Sequence, residues 1–342
     1  MSSDFGYINA RVRGLKSRLL GPEFYSQALG ESDFSAFTAT LSQTDYMQDL
    51  EEAQASAEGL TAVDMALAGN FRRLTRSILG FSDGWPHELA ALLLLKYDLA
   101  NIKAIIRARH ADRSPEDARA ALLPAGQIKP AVLEQMAQAS DVASAVQLLS
   151  AAGHPLAAAA RQAVRAYQDE QDLFGFELAL DRAYTEVLVT RTAELPLPRA
   201  FRDWVRLQAD ATNLRTALKL RGRPAPEADL FVDSGKGASF NREAFAALIV
   251  DEGGEGLSHA ADGPFAGVAD TETLGAADAV IRSVLDERVR RLAIGDPLGP
   301  FVLLDYLRRK EREVARLRLL ARGKFYSVPR EQLERELGSG DA

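Results

Sequence analysis

Gly235-Lys236-Gly237 is the nearest approach to a phosphate-binding loop in the sequence. Such a loop needs a leading glycine, a lysine for the phosphates and a Ser or Thr for magnesium. Here the leading glycine is missing, and Gly237 stands where the hydroxyl residue belongs. Gly254-Glu255-Gly256 lacks the third glycine and the preceding strand of a dinucleotide loop. His87, His110, His154 and His259 show no i, i+4 spacing, no HExxH and no other ligand pattern, and no GxSxG elbow occurs. His154 precedes Pro155 at a helix start and reads as a cap or turn residue rather than a base. Asp and Glu are scattered along amphipathic helices, where a solvated face is their ordinary use. No cysteine is present, which excludes disulfides, thiol nucleophiles and Cys-ligated zinc and is compatible with a reducing compartment. No catalytic, cofactor-binding or metal-ligating set is therefore expected, and Trp85 and Trp204 are expected to pack rather than stack on a ligand.

The bulk of the chain sets further bounds. Its 342 residues suit two or three domains. With 47% apolar and 26% charged residues it has the balance of a folded protein. A net charge of −7 argues against a nucleic-acid binder, which would gather Lys and Arg against phosphates. The start Met-Ser-Ser-Asp-Phe-Gly is unlike a signal peptide. The longest apolar run, Leu89 to Leu95, is far short of the ~20 residues of a membrane span. Membrane association is expected only through a partner.

The texture is helical nearly throughout, rich in Ala, Leu, Arg, Glu and Gln with little β-branched alternation. Helices are predicted over 8–20, 60–79, 86–110, 130–150, 155–193, 198–221, 270–293 and 299–323. Ser114-Pro115-Glu116 reads as an N-cap followed by Pro at the first helical position. Gly222 and Gly323 follow basic last turns, as at helix C-termini. Pro329 and Glu331 predict one more short helix. Residues 223–276 hold eight glycines and read as surface connections around a short helix from Asn241 to Val250.

One motif recurs three times. Its copies run from Asp98 to Arg109, from Asp210 to Arg221 and from Glu313 to Lys324, 112 and then 103 residues apart. Each has an acid (Asp98, Asp210, Glu313) and a base five positions on (Lys103, Arg215, Arg318). Further basic residues follow: Arg107 and Arg109, Lys219 and Arg221, Arg322 and Lys324. The first two copies add Asn101 and Asn213; Arg316 stands there in the third. Upstream of each copy an acid follows an apolar residue, at Asp64, Asp181 and Asp278, and a Pro-containing break comes between. A period near 100 residues implies three similar domains rather than a thin solenoid, whose units repeat every ~34–47 residues. The expectation is an all-α chain in three repeat domains, 1–112, 113–222 and 223–342, with the repeat unit free to be offset from the compact unit. The acid and Asn share a helix face and are expected to bind the preceding helix. The terminal Lys and Arg oppose the helix dipole and could form a positive rim for a partner.

From these residues the chain resembles the C-subunit family of V-type and A-type rotary ATPases, whose eukaryotic member is the d subunit. The resemblance is carried by Tyr7-Ile-Asn9-Ala-Arg11-Val-Arg13 with Leu19-Leu20, by Lys96-Tyr-Asp98-Leu-Ala-Asn101-Ile-Lys103, by Gly153-His154-Pro155-Leu156, by the helix from Asp210 to Arg221 and by the stretch from Val314 to Lys324. It spans nearly the whole chain; Arg316 and the Gly-rich 223–276 stretch depart from the family pattern. The resemblance implies three similar helical domains around a pseudo-threefold axis, forming a funnel with a central cavity. It also implies a non-catalytic rotor component, peripheral on the cytoplasmic face of the membrane. Its implied partners are the D and F subunits of the shaft and the proteolipid ring. The alternatives are a generic helical scaffold for peptides or partner helices and a helical enzyme with an unrecognised site.

Overall fold

The computed structural model describes residues 5–123, 125–223, 229–235, 237–250 and 263–339. Among the described residues all regular structure is helical, with no strand. The helices are α1 (Gly6–Lys16), α2 (Pro22–Gly30), α3 (Phe34–Leu41), α4 (Met47–Gln54), α5 (Gly59–Gly80), α6 (Gly84–His110), α7 (Pro115–Ala120), α8 (Pro130–Ala137), α9 (Val142–Ala151), α10 (Ala157–Glu170), α11 (Leu173–Glu194), α12 (Arg199–Leu220), α13 (Arg242–Ile249), α14 (Leu274–Gly295), α15 (Phe301–Phe325) and α16 (Arg330–Ser339).

Local chemistry sets many of these boundaries. Asp33, Ser114, Asp141, Asn241 and Thr273 each accept a hydrogen bond from a backbone N–H in the first turn, satisfying a donor that the helix leaves open. Pro22, Pro115 and Pro130 take the first turn, where a missing N–H costs nothing. The segment 130–150, expected as one helix, is two, because Asp141 recaps the chain. The segment 155–193 also divides. Gln171 adopts a left-handed conformation, φ 54°, and the chain restarts after Asp172. The region 22–54, for which no helix was predicted, holds α2 to α4. Each of these helices is too short to show much periodicity. The helix expected from Asn241 to Val250 is α13, capped by Asn241.

Three pairs of long helices organise the chain: α5–α6, α11–α12 and α14–α15, each joined across one of the expected Pro-containing breaks. Their ends near the breaks share the largest core. Phe71, Ile78, Leu89, Leu188, Phe201, Val289 and Phe301 meet there with Phe5, Ile8 and Val12 of α1. The ends away from the breaks diverge. The far ends of α12 and α14 enclose α13 through Leu214, Leu248, Ile281 and Leu285. Those of α5 and α15 enclose α2 to α4 through Phe37, Tyr46, Leu67 and Leu317. The far end of α6 packs with α7 to α11. The first half of one long helix thus belongs with one set of neighbours and its second half with another. No helix of the described residues is long and apolar enough to cross a membrane.

Candidate functional site

Asp98 is fully buried on α6. Its carboxylate accepts hydrogen bonds from the backbone N–H groups of Gln127 at 2.8 Å and Ile128 at 3.0 Å. One turn on, Asn101 makes a two-way pair with Leu123: its Oδ1 accepts from the Leu123 N–H at 2.7 Å and its Nδ2 donates to the Leu123 carbonyl at 2.8 Å. The motif therefore holds the chain that follows the helix, whereas the helix before it was expected. A side-chain amide can replace a strand-like partner for an irregular segment, whose buried backbone groups must all be paired. His154 Nδ1 accepts from the Leu156 N–H at 3.2 Å, and its Nε2 lies 3.3 Å from Asp98. The histidine thus holds the turn that precedes α10 and lies beside the clamp.

The second copy repeats the geometry. Asn213 exchanges hydrogen bonds of 2.8 and 2.9 Å with Val232. Asp210 Oδ2 accepts from the Ser239 N–H at 2.7 Å and from its hydroxyl at 2.6 Å. In both copies the acid reaches the residue 29 positions on. Burial pushes this carboxyl above its usual range, against the lowering pull of the Ser239 and Phe240 hydrogen bonds.

The third copy clamps the other end of the chain. Glu313 Oε2 accepts from the Leu20 N–H at 2.6 Å, and its Oε1 accepts from the Tyr46 hydroxyl at 2.8 Å and from Lys310 Nζ at 2.6 Å. All three side chains are buried. Desolvation, with Glu313 alongside, raises the Tyr46 phenol well above its ordinary range. Arg316, in the Asn position, lies over the Tyr25 ring at 5.1 Å.

The bases five positions after each acid make a cycle. Lys103 of the first copy meets Asp181, the acid upstream of the second copy, at 2.8 and 2.9 Å. Arg215 of the second meets Asp278, upstream of the third, at 2.6 Å. Arg318 of the third returns to Asp64, upstream of the first, at 3.3 Å. The basic helix ends are engaged as well. Arg107 holds Glu177, with one bond of 2.7 Å. Arg109 donates to the Ala139 carbonyl at 3.0 Å, and Lys324 to those of Leu29 and Glu31 at 2.9 and 2.6 Å. Lys219 lies 3.7 Å from Asp181 and Arg322 3.5 Å from Asp64; Arg221 is likewise engaged within the chain.

Two features escaped the sequence analysis. The first is what the opening motif does. Asn9 Nδ2 donates to the Gly299 carbonyl at 3.0 Å, Arg13 donates to that of Pro297, and Lys16 pairs with Asp305 at 2.8 Å. Helix α1 thereby straps the α14–α15 turn to α5 and α6. The second is a charged layer among the long helices. Lys96 and Tyr97 of α6 both bond Glu311 of α15. Arg308 of α15 pairs with Asp286 of α14, with Arg312 3.5 Å away. Below this layer the rings of Phe201, Trp204 and Phe301 pack at centroid separations of 5.2 to 6.5 Å. Trp85 packs edge-on to Phe5. No strand-like trace or fixed spacing betrays such tertiary pairs.

Elsewhere, His87 bonds the Leu79 carbonyl and His110 the Tyr167 hydroxyl, while His259, Lys236, Gly254, Glu255 and Gly256 lie outside the described residues. Among the described residues no three His, Asp or Glu side chains are placed to hold a metal.

A thrice-used clamp, with ion pairs running from each copy to the next, defines a repeat-built helical scaffold. The family described as ATP synthase (C/AC39) subunit matches residues 8–336. The C subunit of the V-type ATP synthase of Thermus thermophilus is 36% identical over 340 residues, covering 98% of this chain and 99% of that protein. That of Deinococcus radiodurans is 34% identical, covering 98% of this chain and 92% of that protein. The C subunit of the A-type ATP synthase of Haloferax volcanii is 27% identical, with coverage of 97% and 96%. The chain belongs to the ATP synthase C/AC39 family. It is accordingly a non-catalytic subunit of a rotary ATPase.

Proposed function

We propose that the chain is the socket of the rotor, seated between the shaft of D and F subunits and the proteolipid ring, so that torque passes through it and couples ATP hydrolysis or synthesis to ion transport. One observation carries this proposal: the cycle Lys103–Asp181, Arg215–Asp278, Arg318–Asp64. A chain of bonds from the first copy to the second, the second to the third and the third back to the first is what a closed ring of three similar units requires. We take the units to lie about a pseudo-threefold axis as a funnel. The sequence repeats are 1–112, 113–222 and 223–342, and the compact units are offset from them, each running from the second half of one long helix into the first half of the next. The last unit is completed by the N-terminus.

A torque element must twist little, and close-packed interiors are stiff. It must also hold both neighbours in register, which charge complementarity provides. The basic ends Arg107, Arg109, Lys219, Arg221, Arg322 and Lys324 are partner contacts in this proposal, in addition to their internal bonds. Arg107 and Arg322 leave more than half of their side chains exposed, 58% and 56%. The protein is placed peripherally, on the cytoplasmic face of the membrane. The deciding experiment co-expresses the tagged chain with D and F subunits from the same organism and sizes the product by light scattering. A complex with one copy of each supports the socket. A folded chain that ignores both across salt concentrations refutes it. Charge reversal at the three basic ends then tests the rim: unchanged binding to shaft and ring removes it.

A further inference from the structure

Two residues before the acid of each copy stand Lys96, Gln208 and Glu311. The repeat register makes these three positions equivalent, yet they carry a cation, a neutral amide and an anion. Lys96 and Glu311 belong to the charged layer, and Gln208 stands on the helix that gives Trp204 to the aromatic floor. Lys96 and Glu311 pair directly across α6 and α15, each with 30% of its side chain exposed. Burial nonetheless pulls the Lys96 ammonium below the ordinary lysine range, against the opposing pull of Glu311. Gln208 lies one helical turn beyond Trp204, over whose ring the Arg308 guanidinium is set at 6.0 Å. The Gln208 side-chain oxygen is buried and has no hydrogen-bond donor. An acceptor left in that state costs the free chain stability, and a donor from a partner would relieve it.

We propose that Lys96, Gln208 and Glu311 form a rotational key: a layer that admits the tip of the shaft in one register of the three that a threefold socket would offer. This rests on the socket assignment made above. A ring of three similar units presents three nearly equal seats, and a tip gripped only by repeated features would sit in any of them. Different charges at the three equivalent positions lift that degeneracy, because each wrong rotation sets like charges together or leaves a charge unpaired. The tip that fits presents a donor to Gln208, and charged groups arranged to meet Lys96 on one side and Glu311 on the other.

The test measures affinity for the purified D–F complex by calorimetry, using the full chain and two variants. The reciprocal swap Lys96→Glu with Glu311→Lys keeps the net charge and the internal pair but reverses the order of the key, so that no rotation of the tip restores it. Gln208→Met removes the orphan acceptor at nearly constant volume. The swap is expected to weaken shaft binding about tenfold or more, and Gln208→Met to weaken it while the melting temperature of the free chain holds or rises. Shaft binding by the swap within about twofold of wild type, at an unchanged melting temperature, overturns the key and leaves the socket standing. If the swap melts without cooperativity, Gln208→Met decides in its place, and binding equal to wild type overturns the key. Failure of the unaltered chain to bind D–F refutes the socket itself, and the key with it.

Discussion

Gly126 offers the sharpest perturbation of the clamp. A Cβ built on it would lie 2.0 Å from Asp98 Oδ1 and 2.3 Å from its carboxyl carbon. The carboxylate has nowhere to go, since it is fully buried and already bound by the Gln127 and Ile128 N–H groups. Gly126→Ala must therefore push the segment off the acid and break both bonds. Hydrogen bonds to a charged group are worth about 1.5–3 kcal/mol each, so the loss is about 3–6 kcal/mol. Asp98→Ala removes the same bonds from the other side and leaves two buried donors unpaired, at a similar cost of about 2–6 kcal/mol. In the double variant the collision is gone. Its cost should match the larger single one rather than the sum, a coupling of several kcal/mol where independent sites add within about 0.5 kcal/mol. Because the chain has more than one core, global melting need not be two-state. The reading should come from hydrogen exchange at the Gln127 and Ile128 amides, alongside urea unfolding. Additive costs, or a Gly126→Ala chain whose amides stay protected, would refute the clamp.

Asp98→Asn should cost about 1–3 kcal/mol, because one backbone donor then faces an amide NH₂; Asp210→Asn should cost less, because burial already disfavours the charged form of that carboxyl. The sign of the pH effect follows from the raised Asp210 carboxyl. The folded chain holds that proton more tightly than the unfolded one, so stability from this group grows as pH falls from neutral through the folded value, and levels off below the ordinary carboxylate range. Urea unfolding from pH 7 to 4 should show that gain in wild type relative to Asp210→Asn, and parallel curves would count against it. Glu313→Gln should cost about 3–5 kcal/mol by leaving Lys310 buried and uncompensated, and adding Lys310→Met should recover part of it; thermal melts of both variants suffice. Lys103→Ala should cost more than Arg215→Ala, because Asp181 is better buried than Asp278, with 22% and 41% of their side chains exposed; equal melting temperatures would contradict that ranking. Asn9→Ala with Arg13→Ala should raise exchange in α1 and in the turn from Asp296 to Pro300, and no change there would mean that the strap contributes nothing.

The three long hairpins were legible in the sequence because their boundaries are chemical. Pro86, Pro196, Pro198, Pro297 and Pro300 break the pattern, and each second helix carries the repeated acid and bases. What the motif binds was not legible. Helical spacing places Asp98 and Asn101 on one face, but it does not say what covers that face. The answer, backbone more than twenty residues downstream, depends on a loop with no periodicity. The constant 29-residue reach is a signal that could have been found, as Gly126-Gln127 and Ala238-Ser239 stand at matching distances from their acids. The cycle of ion pairs was half visible. Asp64, Asp181 and Asp278 stood out as accompanying the motif upstream, but nothing in the spacing assigned the bases to them, and the structure pairs each base with the acid of the next copy. Short helices such as α2 to α4 were missed because eight or nine residues give only two turns in which an apolar stripe can show.

The departures in the third copy follow from what it clamps. Asp98 and Asp210 hold a segment that leaves their own helix and returns after 29 residues. Among the described residues Glu313 bonds no segment downstream of its own helix. It takes Leu20 instead, from the opposite end of the chain. The arriving segment presents Leu20 N–H and the Tyr46 hydroxyl from one side, and Lys310 supplies a third donor from the same helix as Glu313. The extra methylene of Glu is suited to donors set farther from the helix. Asn101 and Asn213 find a partner backbone with both groups free, whereas Arg316 spans an aromatic ring, Tyr25 of α2. In the proposed ring of three units this clamp is the seam between the third copy of the motif and the segment that carries Leu20 and Tyr46. Its buried Glu313–Lys310–Tyr46 cluster closes that seam with three side chains where the first two copies use two. The α1 strap, for which the motif in the other copies has no counterpart, crosses the same seam through Lys16 and Asp305.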